Sequence, residues 1–181
     1  MRPRALVCMA MLVSLAACGT AELKPVTTPD PQILPQETPT PGPQQAGDTS
    51  GQAVTGAIKV LASSRFENYL YEIRRSFVGQ FSDASVEFVF APTAELRDRI
   101  GRGEPGDVFV ADDEAAMATV VEADRMSDRA KTFARAEGRT FQVAVLKPAG
   151  NLPTSQRFVG VITGRFGQEA ARRHGMEPAA A

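Results

Sequence analysis

The chain has 181 residues, with 20 basic against 21 acidic side chains and a formal net charge of −1. This balance excludes the strong positive field that recruits nucleic acid or an anionic membrane surface. Two cysteines and one histidine are too few for a disulfide framework or a zinc cluster, so we expect no metal and no other cofactor.

The first eighteen residues have the pattern of a lipoprotein signal peptide. Arg2 and Arg4 precede an apolar run, Ala5 to Ala17, which is too short to span a bilayer and has the length of a signal-peptide hydrophobic region. The run leads into Cys18 and Gly19 in a pattern that resembles the lipobox of bacterial lipoproteins. The resemblance implies that Cys18 is acylated and anchors the chain to a membrane of the bacterial envelope. An ordinary secretory signal with a coincidental cysteine is the alternative.

The segment 19–56 is rich in proline, threonine, glutamine and glycine and has few apolar side chains. Such a composition cannot bury enough surface to offset the entropy of ordering, so it predicts a disordered tether between the anchor and a folded domain. A ligand for a proline-binding domain is the alternative for the run Thr38 to Pro43.

Residues 57–181 are predicted to form an α/β domain, and its first half alternates strands with helices. Ala57–Ala62 is a short apolar strand, and Ser64 with Glu67 has the spacing of a capping box that opens a helix ending near Gly79. Val86–Ala91 is the second predicted strand.

The pattern then repeats. Thr93 is predicted to cap a short helix that ends at Gly101, and the turn before Asp107 leads into a third strand, 107–111. Asp112 or Asp113 is then expected to cap a helix over 114–122.

After a polar link, Thr140–Lys147 is the fourth predicted strand, and two helices, 155–163 and 167–174, follow it. Four strands that each lead into a helix or crossover predict a three-layer α/β domain around a mostly parallel sheet. In such sheets, ligands lie beyond the carboxyl ends of the strands.

The order of these elements and several of their residues resemble the type 2 periplasmic solute-binding proteins, in particular the molybdate-binding proteins of ABC importers. The most specific piece is the turn and strand 103–111 followed by Asp112 and Asp113. The remaining matching pieces are Ile58–Ala62, Tyr71–Ile73, Phe90–Ala91 with Leu96 and Ile100, Val145–Pro148, and Phe158–Val159 with Gly164, Gly167 and Gly175. The resemblance implies a single lobe of the periplasmic-binding-protein type.

The resemblance also implies that a second lobe is missing. In that family the chain leaves the first lobe after the fourth strand, builds a second lobe and returns for the C-terminal helices. Here the segment Pro148–Thr154 is predicted to connect the two ends directly, so a bound oxyanion would lose the wall that closes over it.

The ligand groups of the family fall on two loops of this chain. The first ligand serine falls on Arg65, beside Ser64, and the second falls on Thr93. The resemblance therefore implies a candidate oxyanion site made of Ser63, Ser64, Arg65, Thr93 and Ala94. Helix N-termini and an always-charged guanidinium favour an anion there, whereas the neighbouring Asp112 and Asp113 repel it.

Simpler structural roles explain most of these residues. Ser64 and Thr93 are candidates for helix caps only, and the carboxylates of Asp112 and Asp113 are favoured by the start of a helix. His174 fits the C-terminus of the last helix. Nothing in the spacing of Ser64, His174 and Asp113 predicts a catalytic triad, so we expect no enzyme activity.

Two functions remain open. The first is extracytoplasmic binding of a small oxyanion, such as molybdate, with an ABC permease as partner. The second is a reduced, single-lobe envelope module that binds another envelope protein and no solute. Both include a membrane anchor and neither involves nucleic acid.

Overall fold

The computed structural model describes residues 52–179, so the prediction for Cys18 and all but the last five residues of the tether predicted over 19–56 lie outside this range. A 3-10 turn over Ser64–Phe66 precedes the first helix. The other elements, in chain order, are β1 (Gly56–Ser63), α1 (Glu67–Gln80), β2 (Ala84–Ala91), α2 (Thr93–Gly101), β3 (Val108–Ala111), α3 (Glu114–Glu122), β4 (Lys131–Ala136), β5 (Arg139–Val145), α4 (Leu152–Thr163), α5 (Arg165–Arg173) and β6 (Glu177–Pro178). None of the described helices has the length and apolar character needed to cross a bilayer.

The strands form one six-stranded sheet in the order β2-β1-β3-β5-β4-β6. β1 pairs in parallel with β2 and β3, whereas β5, β4 and β6 join by antiparallel pairing. The α/β class is confirmed. The expectation of a mostly parallel sheet holds for only one half of it, because β4 and β5 form a hairpin and β6 adds to its far side.

Two apolar clusters cover opposite faces of the sheet, which confirms the three-layer arrangement. The central strand β1 is buried on both faces: Val60 belongs to one cluster and Leu61 to the other. α1, α4 and α5 supply the first cluster with residues such as Phe77, whereas α2 and α3 supply the second with residues such as Leu96. Each large side chain buried in this way contributes about 1.5–3 kcal/mol to folding.

Asp107, at the start of β3, joins three parts of the chain at one end of the sheet. Its buried carboxylate accepts hydrogen bonds from the Lys59 amide at 2.7 Å, the Gly150 amide at 2.6 Å and the Asn151 amide at 3.2 Å. The first bond comes from β1 and the other two from the link that leads into α4. The same carboxylate therefore fixes the end of the sheet opposite the carboxyl ends of β1 and β3.

The helix starts were predicted with mixed success. Asp113 caps α3 by accepting a bond from the Ala115 amide at 3.0 Å, as predicted. The capping box of Ser64 and the cap by Thr93 are wrong, because neither the 3-10 turn, nor α1, nor α2 has a side-chain cap. β4 and β6 are absent from the predicted elements.

Candidate functional site

The parallel pairing of β1 and β2 brings the two predicted ligand loops to the same end of the sheet. Ser63 lies opposite Ala91 in the register. The 3-10 turn with Ser64 and Arg65 follows β1 directly. β2 ends at Ala91, and α2 begins at Thr93, after the single residue Pro92. Ser63 and Thr93 are both buried. We call this region, at the carboxyl ends of β1, β2 and β3, the strand-end crevice.

Arg65 is held in place at this crevice by two contacts. Its Nη2 atom lies 2.9 Å from Oε2 of Glu137, and its guanidinium carbon lies 5.2 Å from the centre of the Phe141 ring. Because 70% of the Glu137 side chain is exposed, this ion pair is well solvated and contributes little net free energy. The guanidinium is thus oriented by the ring and remains able to exchange Glu137 for another anion.

The Thr93 hydroxyl is hydrogen-bonded to another side chain of the protein and does not cap α2. The hydroxyl donates to Oδ1 of Asp112, and the Asp112 amide lies 3.4 Å from the Thr93 oxygen. Nη1 of Arg139 lies 3.7 Å from the other oxygen of Asp112. Thr93 and Asp112 are far apart in the sequence, so a local cap pattern could not reveal this competing bond.

The crevice therefore carries two cations and two carboxylates in compensating pairs: Arg65 with Glu137, and Arg139 with Asp112. The start of α2 presents backbone N–H groups and the positive end of a helix dipole, which favour an anion. The Asp112 carboxylate supplies one negative charge beside that helix start. Chemically the region can bind a small anion, provided that the anion competes with these two carboxylates.

Arg65 also lines a groove of about 860 Å³ between α1 and the β4–β6 edge. Tyr69 forms part of the groove wall, and its hydroxyl donates to the carbonyls of Ile162 and Gly167 at 3.4 Å each. Burial raises the pKa of the Tyr69 phenol, with a smaller contribution from Glu72. Tyr69 therefore serves the packing of α1 on α4 and α5 and offers no free acid.

His174 and Asp113 have structural partners. The His174 Nε2 atom lies 2.9 Å from Oε2 of Glu72, and Asp113 caps α3. Neither side chain is used in a Ser64-His174-Asp113 arrangement. Within residues 52–179, no group of three or more histidine, cysteine, aspartate or glutamate side chains is placed to hold a metal ion.

Comparison with known proteins places this geometry in context. The model of the bacterial extracellular solute-binding protein family matches residues 58–138, which include both ligand loops. The predicted resemblance to solute-binding proteins is confirmed. Molybdate-binding proteins of Mycobacterium tuberculosis and Mycobacterium bovis are 28% identical over 111 residues, which is 61% of this chain and 40% of theirs. The chain thus spans about two fifths of the length of these relatives.

Two solved structures share the fold. The substrate-binding domain attributed to a molybdenum ABC transporter from Clostridium difficile superposes with a TM-score of 0.64 at 11% identity, covering 70% of this chain and 100% of that one. The sulfate-binding protein SubI from Mycobacterium tuberculosis gives a TM-score of 0.62 at 9% identity, covering 68% and 87%. At these identities the likeness concerns the fold alone.

The link that was predicted to replace a second lobe lies away from the crevice. Pro148–Thr154 lies at the end of the sheet opposite the crevice, because β5 runs antiparallel to β3 and the Gly150 amide bonds to Asp107. On the crevice side, β4 and β5 are joined by the two-residue turn of Glu137 and Gly138. The family match ends at residue 138, within this turn. The chain after this turn, from Arg139 onward, lies outside the part that matches the family.

Two crevice residues were missed by the sequence prediction. Glu137 lies in the β4–β5 turn and pairs with Arg65, and Arg139 follows the turn and pairs with Asp112. Glu137 and Gly138 both have positive φ, as a two-residue type I′ hairpin turn requires, but Glu-Gly is not one of the pairs that typically signal such a turn. No local signal indicates which distant side chains such a turn will contact.

Proposed function

We propose that the chain is a lipid-anchored, extracytoplasmic solute-binding protein of single-lobe form that binds a small oxyanion such as molybdate and supplies it to an ABC permease. The observation that carries the proposal is the register of Ser63 with Ala91. It brings the loop of Ser63, Ser64 and Arg65 to the same end of the sheet as Thr93 and Ala94, all within the part of the chain that matches the family. The proposed anchor is Cys18, on the strength of the lipobox pattern.

The proposed mode of binding follows from the groups at the crevice. The first amides of α2, at Thr93 and Ala94, point toward an anion in front of the helix. Arg65 supplies a permanent positive charge that is already oriented over Phe141. Ser63 and Ser64 add hydroxyl groups at the end of β1. Such a site recognises charge and tetrahedral shape by hydrogen bonding and requires no metal.

The affinity of this site is expected to be low. In an open crevice, each hydrogen bond to the ligand replaces one to water, so its net contribution is only about 0.5–1.5 kcal/mol. The carboxylate of Asp112 also repels an approaching anion. We therefore expect dissociation constants in the millimolar range.

Calorimetric titration of the purified full chain with molybdate, tungstate, sulfate and phosphate tests the proposal. We expect saturable heat with at least one of these anions, and loss of that heat in Arg65→Ala. Arg165→Ala is the matched control, because Arg165 is an exposed arginine paired with Glu169 on α5. Absence of heat with all four anions, at concentrations well above the expected millimolar dissociation constants, would refute oxyanion binding.

Substitution of Asp112 gives a second test of the same site. Asp112→Asn keeps an acceptor for the Thr93 hydroxyl but removes the negative charge beside the start of α2. At an effective dielectric constant of about 20, removing one nearby charge should improve oxyanion affinity roughly tenfold. Asp83→Asn is the control, because Asp83 is an exposed aspartate just before β2, at the end of the sheet opposite the crevice. An unchanged or weaker affinity in Asp112→Asn would place the anion elsewhere.

The bond between Thr93 and Asp112 favours a second candidate function. In this alternative the chain's own carboxylate permanently occupies the anion position, and the lobe acts as an envelope interaction module. The direct β4–β5 turn also favours it, because residues 52–179 supply no second wall over the crevice. The two candidates differ in one outcome: under the second, neither the native chain nor Asp112→Asn gives heat with any oxyanion.

A further inference from the structure

A groove beside α3, away from the crevice, combines exposed apolar surface with acidic side chains. It has a volume of about 590 Å³ and runs between α3 and the segment 124–130 that leads into β4. Val121 stands in it with 51% of its surface exposed, and it is the most exposed of the three large apolar side chains that face solvent in residues 52–179. We call this feature the α3 groove.

The groove has an apolar floor and a fixed far wall. Met117 is buried beneath Val121, one helical turn earlier, and Met126 closes the opposite side. Met126 forms a β-bridge with Leu146, and the Ser127 amide and hydroxyl donate to the carbonyls of Val145 and Leu146 at 2.9 and 2.8 Å. Because these bonds hold the wall, the groove is preformed, and its two methionines can adjust to an inserted side chain.

The rim of the groove is acidic. Glu114, Glu122, Asp124 and Asp128 line it, against Arg129 as the only lining cation. Asp124 is paired with Lys147 and Asp128 accepts a bond from Gln156. Glu114 and Glu122 form no ion pair within the described part of the chain, and both line the groove together with Val121. An apolar floor under an unpaired acidic rim is complementary to a segment with apolar residues on one side and lysine or arginine beside them.

We propose that the α3 groove is a docking site for a basic amphipathic segment of a partner protein, with an apolar side chain against Val121 and basic side chains on Glu114 and Glu122. This interaction does not depend on whether the crevice binds a solute, since the groove shares no residue with the crevice. The rim charges raise the rate of encounter and favour basic partners, whereas the apolar floor supplies contact area.

The test uses two synthetic amphipathic helical peptides, one of leucine and lysine and one of leucine and glutamate, titrated against the full chain and followed by hydrogen-exchange mass spectrometry. We expect binding of the lysine peptide only, with new protection confined to residues 114–130. Val121→Ser should weaken it at least fivefold. The double variant Glu114→Gln with Glu122→Gln should weaken it at least tenfold at low salt and less at high salt.

Leu152→Ser and Glu87→Gln are the matched controls, since each alters an exposed residue of the same type on another surface. Unchanged affinity in Val121→Ser, equal binding of the glutamate peptide, or protection outside 114–130 would overturn the proposal. Sedimentation of the chain without peptide tests whether a second copy of the chain occupies the groove. A dimer that dissociates in Val121→Ser would assign the groove to self-association instead. The oxyanion titrations are unaffected by any of these results, so failure here is distinguishable from failure of the solute site.

Discussion

Glu72 joins the first helix of the domain to the last through charged hydrogen bonds. Its carboxylate accepts a bond from Nε of Arg173 at 3.1 Å and a second bond from another nitrogen of the same guanidinium, and it lies 2.9 Å from His174 Nε2. The bond from Arg173, and to a smaller extent that with His174, lowers the pKa of the Glu72 carboxyl. The ionised form is therefore the one that holds α1 to α5.

Glu72→Gln should destabilise the domain by about 1 kcal/mol at neutral pH, a modest amount because Arg173 is half exposed to solvent. Since the pKa is lower in the folded chain, the contribution is fully present above the ordinary glutamate pKa of about 4.3 and is lost as the pH falls through the folded value. Urea unfolding at several pH values measures this. A difference from the native chain that persists unchanged at pH values well below the folded pKa would contradict the assignment to ionised Glu72.

Residue-level prediction from the sequence succeeded where the partner of a side chain is local. Asp113 was predicted to cap α3, and it bonds to an amide two residues away. Ser64 and Thr93 were also predicted as caps, but Thr93 bonds to Asp112, nineteen residues later. A hydrogen bond from a hydroxyl to a charged acceptor is stronger than one to a neutral acceptor. Because the fold brings this acceptor from a distant part of the chain, the neighbouring sequence does not indicate the bond.

At the scale of elements, the contact between α4 and α5 depends on one glycine. A Cβ at Gly167 would lie 1.9 Å from the carbonyl oxygen of Ile162, and that oxygen belongs to the backbone of α4. Side chains can rotate away from a new atom, whereas a helix backbone cannot without moving the helix. Gly167 is therefore required for the close approach of the two helices.

Gly167→Ala should destabilise the domain by about 3 kcal/mol, the upper end of the cost of overpacking a core. Gly160→Ala is the matched control, because Gly160 lies within α4 and a Cβ added there would have no neighbouring atom within 4 Å. There the change should stabilise the helix by about 0.5–1 kcal/mol. Thermal unfolding monitored by circular dichroism compares the two. Equal melting temperatures would show that α5 is not held against α4 at this point.

The strands that the sequence predicted are the buried ones, and those it missed are at the polar side of the sheet. β1 and β3 are apolar along nearly their whole length, so composition alone indicates them. β4 has only Phe133 and Ala134 buried among polar residues, and β6 is two residues long. Their pairing is set by the hairpin turn and by the neighbouring strand, which are tertiary features.

At the scale of the whole molecule, the two ends of the sheet have different tolerance for added chain. The turn of Glu137 and Gly138 stands exposed on the crevice side and joins β4 to β5. The link near Gly150 is tied to the buried Asp107 carboxylate at the other end. A polypeptide that carries an additional lobe above the crevice would enter and leave at the first position, since only there do both strands end beside Arg65 and Asp112.

Insertion of a flexible glycine-serine segment of about eight residues between Glu137 and Gly138 should leave the fold intact and cost about 1–2 kcal/mol, the entropy of closing a longer loop. The same segment between Ala149 and Gly150 should cost about 3 kcal/mol or more, because it separates Asp107 from two of its three amide donors, which are charge-assisted bonds. Urea unfolding of the two insertion variants, with far-ultraviolet circular dichroism to confirm folding, measures the difference. The reverse order of stability would favour the link after β5 as the position for an added lobe. The expected order would identify the β4–β5 turn as the position at which this one-lobe sheet accepts a second wall.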